Sequence, residues 1–201
     1  MMRLIFLPPW ILMLGVVSVQ AQTSIRIGDE LPAGDKEVED TSGRDWSLIQ
    51  ISDSNGLLVI FSGNTCPWVA KWESRYNEIS TMADFNNIGM IVLNSNERIR
   101  GRGESMGDMR RRAQKQGYNF PYALDEDHAI ADAFGATRTP EVFLFDGDLK
   151  LVYHGAIDDN ADDAGASKKK FLEDAINAIS SGNEILIKET SVVGCSIKRT
   201  E

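Results

Sequence analysis

Residues 57–72 read LLVIFSGNTCPWVAKW, and the fold is decided there. LLVIFS is a short apolar run bounded by Gly56 and Gly63, the pattern of a buried strand. After Cys66, the residues Val69, Trp72, Tyr76, Ile79 and Ala83 recur at helical spacing and form one apolar face. IGMIVLN, residues 88–94, is a second buried strand. Strand, helix, strand in that order implies a parallel pair joined by a crossover helix.

Cys66 stands where the first strand gives way to the helix. Pro67 suits the first helical position, because the N–H it lacks would be unpaired there anyway. The sulfur therefore lies near free backbone N–H groups and the positive end of the helix dipole. Both favour the thiolate, which is the nucleophilic form. A cysteine kept for packing would more often lie inside the strand or on the apolar stripe.

The rest of the chain supplies the partners of this unit. Residues 104–116 are helical and charged, and Gly117 ends them. FPYALD, 120–125, is a short strand. DHAIADAFG, 127–135, is a short helix with Asp127 as its N-cap and Gly135 as its stop. EVFLF and KLVYH flank the turn Asp146-Gly147-Asp148, a β-hairpin. Residues 168–182 form an amphipathic helix. Residues 22–56 are polar and turn-rich, with room only for short strands. The class is α/β: a central mixed sheet with helices on both faces. A β-α-β half followed by a ββα half is the order of the thioredoxin-like fold.

Thr139-Pro140 stands directly before the hairpin. A proline at a strand entry is either turn punctuation or a cis bond with a special role. In this fold the loop lies beside Cys66, where its backbone can hold an extended partner.

The amino end, MMRLIFLPPWILMLGVVSVQAQ, has one charge, an apolar run and a small-residue cleavage pattern at Val19 and Ala21. It reads as a secretory signal over residues 1–21. A domain follows over 22–187, and then a tail, 188–201, carrying Cys195. Pro8 and Pro9 disfavour a spanning helix, so no membrane anchor is expected after cleavage. The expected location is exported, periplasmic or extracellular, where disulfides persist. The formal net charge of −9 argues against nucleic acid as a partner.

The remaining polar clusters read as structure. His128 and His154 lack paired ligand spacing, so no metal and no cofactor are expected. The acidic run Asp158, Asp159, Asn160, Asp162, Asp163 departs from calcium-loop order and reads as a solvated loop. Arg98, Arg100, Arg102, Arg110, Arg111, Arg112 and Lys115 read as a solvated face. Trp72 belongs to the core. Trp68 falls off the stripe and covers the thiol or lines a substrate groove.

The segments NTCPWVAKWESR, NSNE, GYNFPYALDED, AFGATRTPEVFLFD, IDDN and VGCSIK resemble the peroxiredoxin-like, redoxin-domain branch of the thioredoxin superfamily. The likeness runs over about residues 26–199. It implies a thioredoxin fold, Cys66 as nucleophile and Pro140 as the cis-proline. Two departures matter. The dithiol motif C-x-x-C has Val69 in its fourth place. The Thr or Ser that typical peroxiredoxins carry three residues before their cysteine is Gly63. Cys195, on a segment expected to be mobile, is then either the resolving thiol or half of a static staple. Arg138 can bring positive charge to the thiolate.

The expected function is an exported thiol–disulfide oxidoreductase with Cys66 and Cys195 in catalysis and Thr139, Pro140, Trp68 and Arg138 at the substrate. Its partners are an external thiol reductant and a disulfide or peroxide substrate; the oligomeric state stays open. Two alternatives stand beside it: a thiol-dependent peroxidase, and a redox-inert binding module with a structural Cys66–Cys195 bridge.

Overall fold

Strand β3 (Gly56–Ser62) is buried along its whole length, and the sheet is built around it. The computed structural model describes residues 24–200, so the signal segment expected over 1–21 lies outside the described residues. β3 runs parallel to β4 (Ile88–Asn94) and antiparallel to β7 (Glu141–Phe145). Strand β5 (Tyr122–Leu124) flanks β4, and β8 (Leu151–Gly155) flanks β7, giving the order β5-β4-β3-β7-β8.

Side chains alternate across β3, because successive residues of a strand face opposite ways. Leu58 and Ile60 pack with Trp72, Tyr76, Ile79, Leu172 and Ile176. Leu57, Val59 and Phe61 pack with Leu48, Ile130, Phe134 and Phe143. Both faces are therefore covered, as the unbroken apolar run requires. Each of these fully buried side chains contributes about 1.5–3 kcal/mol of burial free energy.

The helix after Cys66 differs from the single piece expected. It comprises α2 (Pro67–Trp72), one 3-10 turn (Glu73–Arg75) and α3 (Tyr76–Phe85). The apolar stripe survives the change, since Val69, Trp72, Tyr76, Ile79 and Ala83 are all buried. The turn has a use: it buries Arg75, whose Nε lies 3.0 Å from Asp158 Oδ2. Trp72 Nε1 donates to Asp158 Oδ1 at 3.2 Å. The acidic run is thus not wholly solvated. Its first member anchors the cysteine helix from below.

Other elements follow their sequence signals with shifted ends. Two short strands, β1 (Glu37–Glu39) and β2 (Asp45–Ser47), pair as a hairpin and lead into the short helix α1 (Leu48–Ile51). The charged helix, Met106–Gln116, starts on a Ser105–Asp108 capping box and stops at Gly117 with φ 63°. The basic run is not a plain solvated face either. Arg112 forks onto Glu73, Arg110 pairs with Glu39 and Arg111 with Asp108.

Asp127 does not cap the short helix Ala129–Phe134; it adopts φ 53° in a 3-10 turn. The buried Asp125 carboxylate does so instead, accepting from Ile130 N and Ala131 N at 2.9 Å each. The last helix, Phe171–Ser180, begins after the three lysines rather than on them.

Candidate active site

Cys66 is the N-cap of α2, with extended φ −79° and ψ 118°, and Pro67 follows in the first turn. The strand ladder ends at Ser62, so the turn Gly63–Thr65 needs other partners. It finds them in Glu104, a wholly buried carboxylate that accepts from Asn64 N and Thr65 N at 2.8 and 2.9 Å.

The Thr139–Pro140 bond is cis. Thr139 O lies 3.1 Å from Cys66 Sγ and accepts its S–H. A second buried carboxylate, Glu141, holds this loop: Oε2 accepts from Thr137 N and Arg138 N at 2.8 and 2.7 Å. Its Oε1 meets His154 Nε2 at 2.8 Å, and the His154 ring stacks on Phe143. His128 instead meets Asp132 through Nδ1 at 2.8 Å. The two histidines serve separate structural contacts.

Cys195 comes to the same point from the tail. Strand β9 (Cys195–Ser196) pairs antiparallel with β6 (Arg138–Thr139), placing Cys195 opposite Thr139. The two sulfurs are 2.7 Å apart and unbonded. Gly194 permits this, because a Cβ there would fall 2.3 Å from Thr139 O. The tail is not the loose segment expected. On one side Lys188 O and Thr190 N bond to the His154 backbone. On the other, Ile197 is buried, Lys198 O accepts from Arg98 N, and Arg199 pairs with Asp132 at 2.7 Å. Between these anchors the tail crosses Cys66 as a strap and leaves it 5% exposed.

The surroundings set the two thiols apart. Burial alone would raise the Cys66 pKa. Hydrogen bonds from the Cys195 thiol, the Thr139 side chain and the backbone N–H groups of Val69 and Cys195 outweigh it, and Cys66 ends below the ordinary cysteine value. Cys195 moves the other way, through burial and the neighbouring Cys66 thiolate. The Thr139 hydroxyl is buried and bonded to no oxygen or nitrogen of the described residues, so its proton is free for the sulfur.

The other expected residues divide. Trp68 is half-buried, and its backbone N–H points at the Cys195 sulfur. Its ring lies 4.7 Å from Lys71 Nζ and, with Trp72, Thr190 and Val193, lines an open cleft. Arg138 does not bring its charge to the thiolate; its exposed guanidinium donates to Gly194 O at 3.2 Å and clamps the tail. Sequence reasoning missed Glu104 and Glu141. Glu141 left a trace, as a charged residue heading the strand EVFLF beside Pro140. Glu104 sits in a polar loop and left none.

The AhpC/TSA family model matches residues 27–154. No curated protein matches the chain. Among solved structures, a hypothetical protein from Sinorhizobium meliloti is 30% identical with a TM-score of 0.78, covering 89% of this chain and 97% of its own. An uncharacterized conserved protein from Geobacillus kaustophilus is 26% identical with a TM-score of 0.80, covering 87% and 93%. A thioredoxin-like protein solved in its oxidised form is 20% identical with a TM-score of 0.60, covering 80% and 100%. Its likeness bears on the fold alone, and it agrees with the mixed five-stranded sheet. The chain belongs to the AhpC/TSA family and has a thioredoxin-like fold.

Proposed function

We propose that the protein is an exported thiol–disulfide oxidoreductase whose nucleophile is Cys66 and whose resolving thiol is Cys195 of the same chain. The observation that carries this is the pair of sulfurs, 2.7 Å apart across the cis-proline loop, one at a helix N-terminus and one on the tail. The Cys66 thiolate attacks one sulfur of a partner disulfide and expels the other as a thiolate. Cys195 gives up its proton and attacks Cys66 Sγ. The partner sulfur bonded to Cys66 leaves and takes up a proton, and a Cys66–Cys195 disulfide closes. An external thiol re-reduces it. That thiol reaches the more exposed Cys195, and Cys66 departs as the better leaving thiolate. Export through the leader supports a compartment in which such exchange has substrates.

Family membership favours a second reading, thiol peroxidase. There the Cys66 thiolate takes the terminal oxygen of a peroxide, an alkoxide or hydroxide leaves, and Cys195 condenses with the sulfenic acid to release water. Two observations weigh against it. Gly63 offers no hydroxyl, and Thr65 Oγ1 already donates to Glu104 Oε1 at 2.6 Å.

Turnover of a glutathionylated peptide and of hydrogen peroxide, each with a dithiol reductant, separates the readings. Cys66→Ser abolishes activity in both readings. Cys195→Ser accumulates a Cys66–peptide adduct, seen by intact mass, only in the first. Disulfide turnover by Cys66→Ser sinks the proposal.

A further inference from the structure

Glu104 is wholly buried, yet among the described residues its side chain has no cation as a hydrogen-bond partner. It is surrounded by donors. Oε1 accepts from Thr65 N at 2.9 Å and Thr65 Oγ1 at 2.6 Å; Oε2 accepts from Asn64 N at 2.8 Å and Asn94 Nδ2 at 2.6 Å. Burying a carboxylate is costly unless its oxygens are satisfied. Here two of the four donors are backbone N–H groups of the residues directly before Cys66, in the turn that β3 leaves unpaired. An apolar residue could fill the same volume but could not hold those groups.

We propose that Glu104 is a positioning residue for the nucleophile: its carboxylate fixes the Asn64–Thr65 turn and thereby holds Cys66 Sγ at the amino end of α2. The inference rests on the reading of Cys66 as nucleophile.

The turn packs onto this network without spare room. A Cβ on Gly63 would fall 2.4 Å from Asn96 Nδ2 and 3.3 Å from Glu104 Oε1. So Gly63 is required by the positioning network, and its lack of a hydroxyl follows from that. The network also reaches the tail. Asn94 Oδ1 accepts from Asn96 N at 3.1 Å, and Asn96 Oδ1 accepts from Lys198 N at 3.0 Å. Arg100 closes it from outside, donating to Asn94 Oδ1 and Glu104 O at 3.1 Å each. One connected set of hydrogen bonds thus sets the place of Cys66 and docks the strand that carries Cys195.

The test is the rate of Cys66 alkylation against pH in a Cys195→Ser background, which removes the second thiol from the titration. Glu104→Gln keeps the size of the side chain but, whichever way the amide lies, turns an NH₂ group toward a backbone donor of the turn, Thr65 N or Asn64 N. Released from its place at the helix end, Cys66 ionises less readily. The alkylation midpoint moves up by about one pH unit. The rate at neutral pH then falls about tenfold, in step with the thiolate fraction.

Thr65→Val deletes only the hydroxyl contact at an exposed residue and moves the midpoint the same way by less. It carries the test if Glu104→Gln does not fold. An unchanged midpoint in a folded variant reduces Glu104 to a brace and overturns the proposal. A lowered midpoint does so too, because it reports only the loss of a nearby negative charge. The midpoint reads the thiol without turnover. A parent protein with no exchange activity sinks the oxidoreductase reading and leaves this result intact.

Discussion

A buried hydroxyl with no oxygen or nitrogen partner is costly, and among the described residues Thr139 carries one beside the sulfur. The cost falls when Cys66 ionises, because the hydroxyl can then donate to the thiolate. Thr139→Val keeps the shape and removes that donor. The Cys66 thiol should then titrate at higher pH, so alkylation at pH 7 slows while the urea midpoint holds or rises. An alkylation profile that does not move shows the hydroxyl to be a bystander. At this scale the sequence carried Cys66 and Pro140, because each stands at a boundary between elements where its residue type has a backbone consequence. It carried only a trace of Glu141, at the head of a strand, and nothing of Glu104. A carboxylate that accepts from a distant turn has no local spacing to betray it, since 39 positions separate Thr65 from Glu104.

Elements show the same division. Long apolar periodicities placed β3, β4, the hairpin strands and the stripe from Val69 to Ala83. The 3-10 turn that splits that stripe was invisible, because its cause is a pair of buried charges, Arg75 and Asp158, far apart in the chain. The tail was invisible as an element for a similar reason. Its strand is two residues long and exists only through pairing with Arg138–Thr139.

That pairing makes Gly194 the most sensitive position of the strap. Gly194→Ala puts a methyl group 2.3 Å from Thr139 O, so the strand must lift. The expected result is faster alkylation of Cys66 and slower closure of the Cys66–Cys195 bond under a fixed oxidant. Far-ultraviolet dichroism should stay unchanged, because the strand that lifts is only two residues long. Unchanged rates of both reactions mean that the strap does not govern access to Cys66.

For the whole molecule the two cysteines have opposing effects. They lie 129 positions apart, and closing a loop of that length stabilises the fold by about 5 kcal/mol in the chain-entropy model. The tail is already docked when the thiols are free, so little ordering is left for the bond to impose. By linkage, about 5 kcal/mol lowers the potential of the folded pair by about 110 mV relative to the unfolded chain. Stabilisation of the Cys66 thiolate acts the other way, since it favours the reduced native protein. A folded pKa below the unfolded one adds stability that is complete above the unfolded value and is lost as pH falls through the folded value. The reduced protein therefore gains stability as pH rises toward 9, the ordinary cysteine value. Cys195 has a raised pKa and contributes its change only above that value. The difference in urea stability between oxidised and reduced protein should thus be widest below the folded Cys66 value and narrow as pH rises from there toward 9. A difference that stays near 5 kcal/mol at every pH describes a staple, and the binding-module reading then leads. A narrowing difference, with a potential above about −250 mV, describes a bond made to be opened.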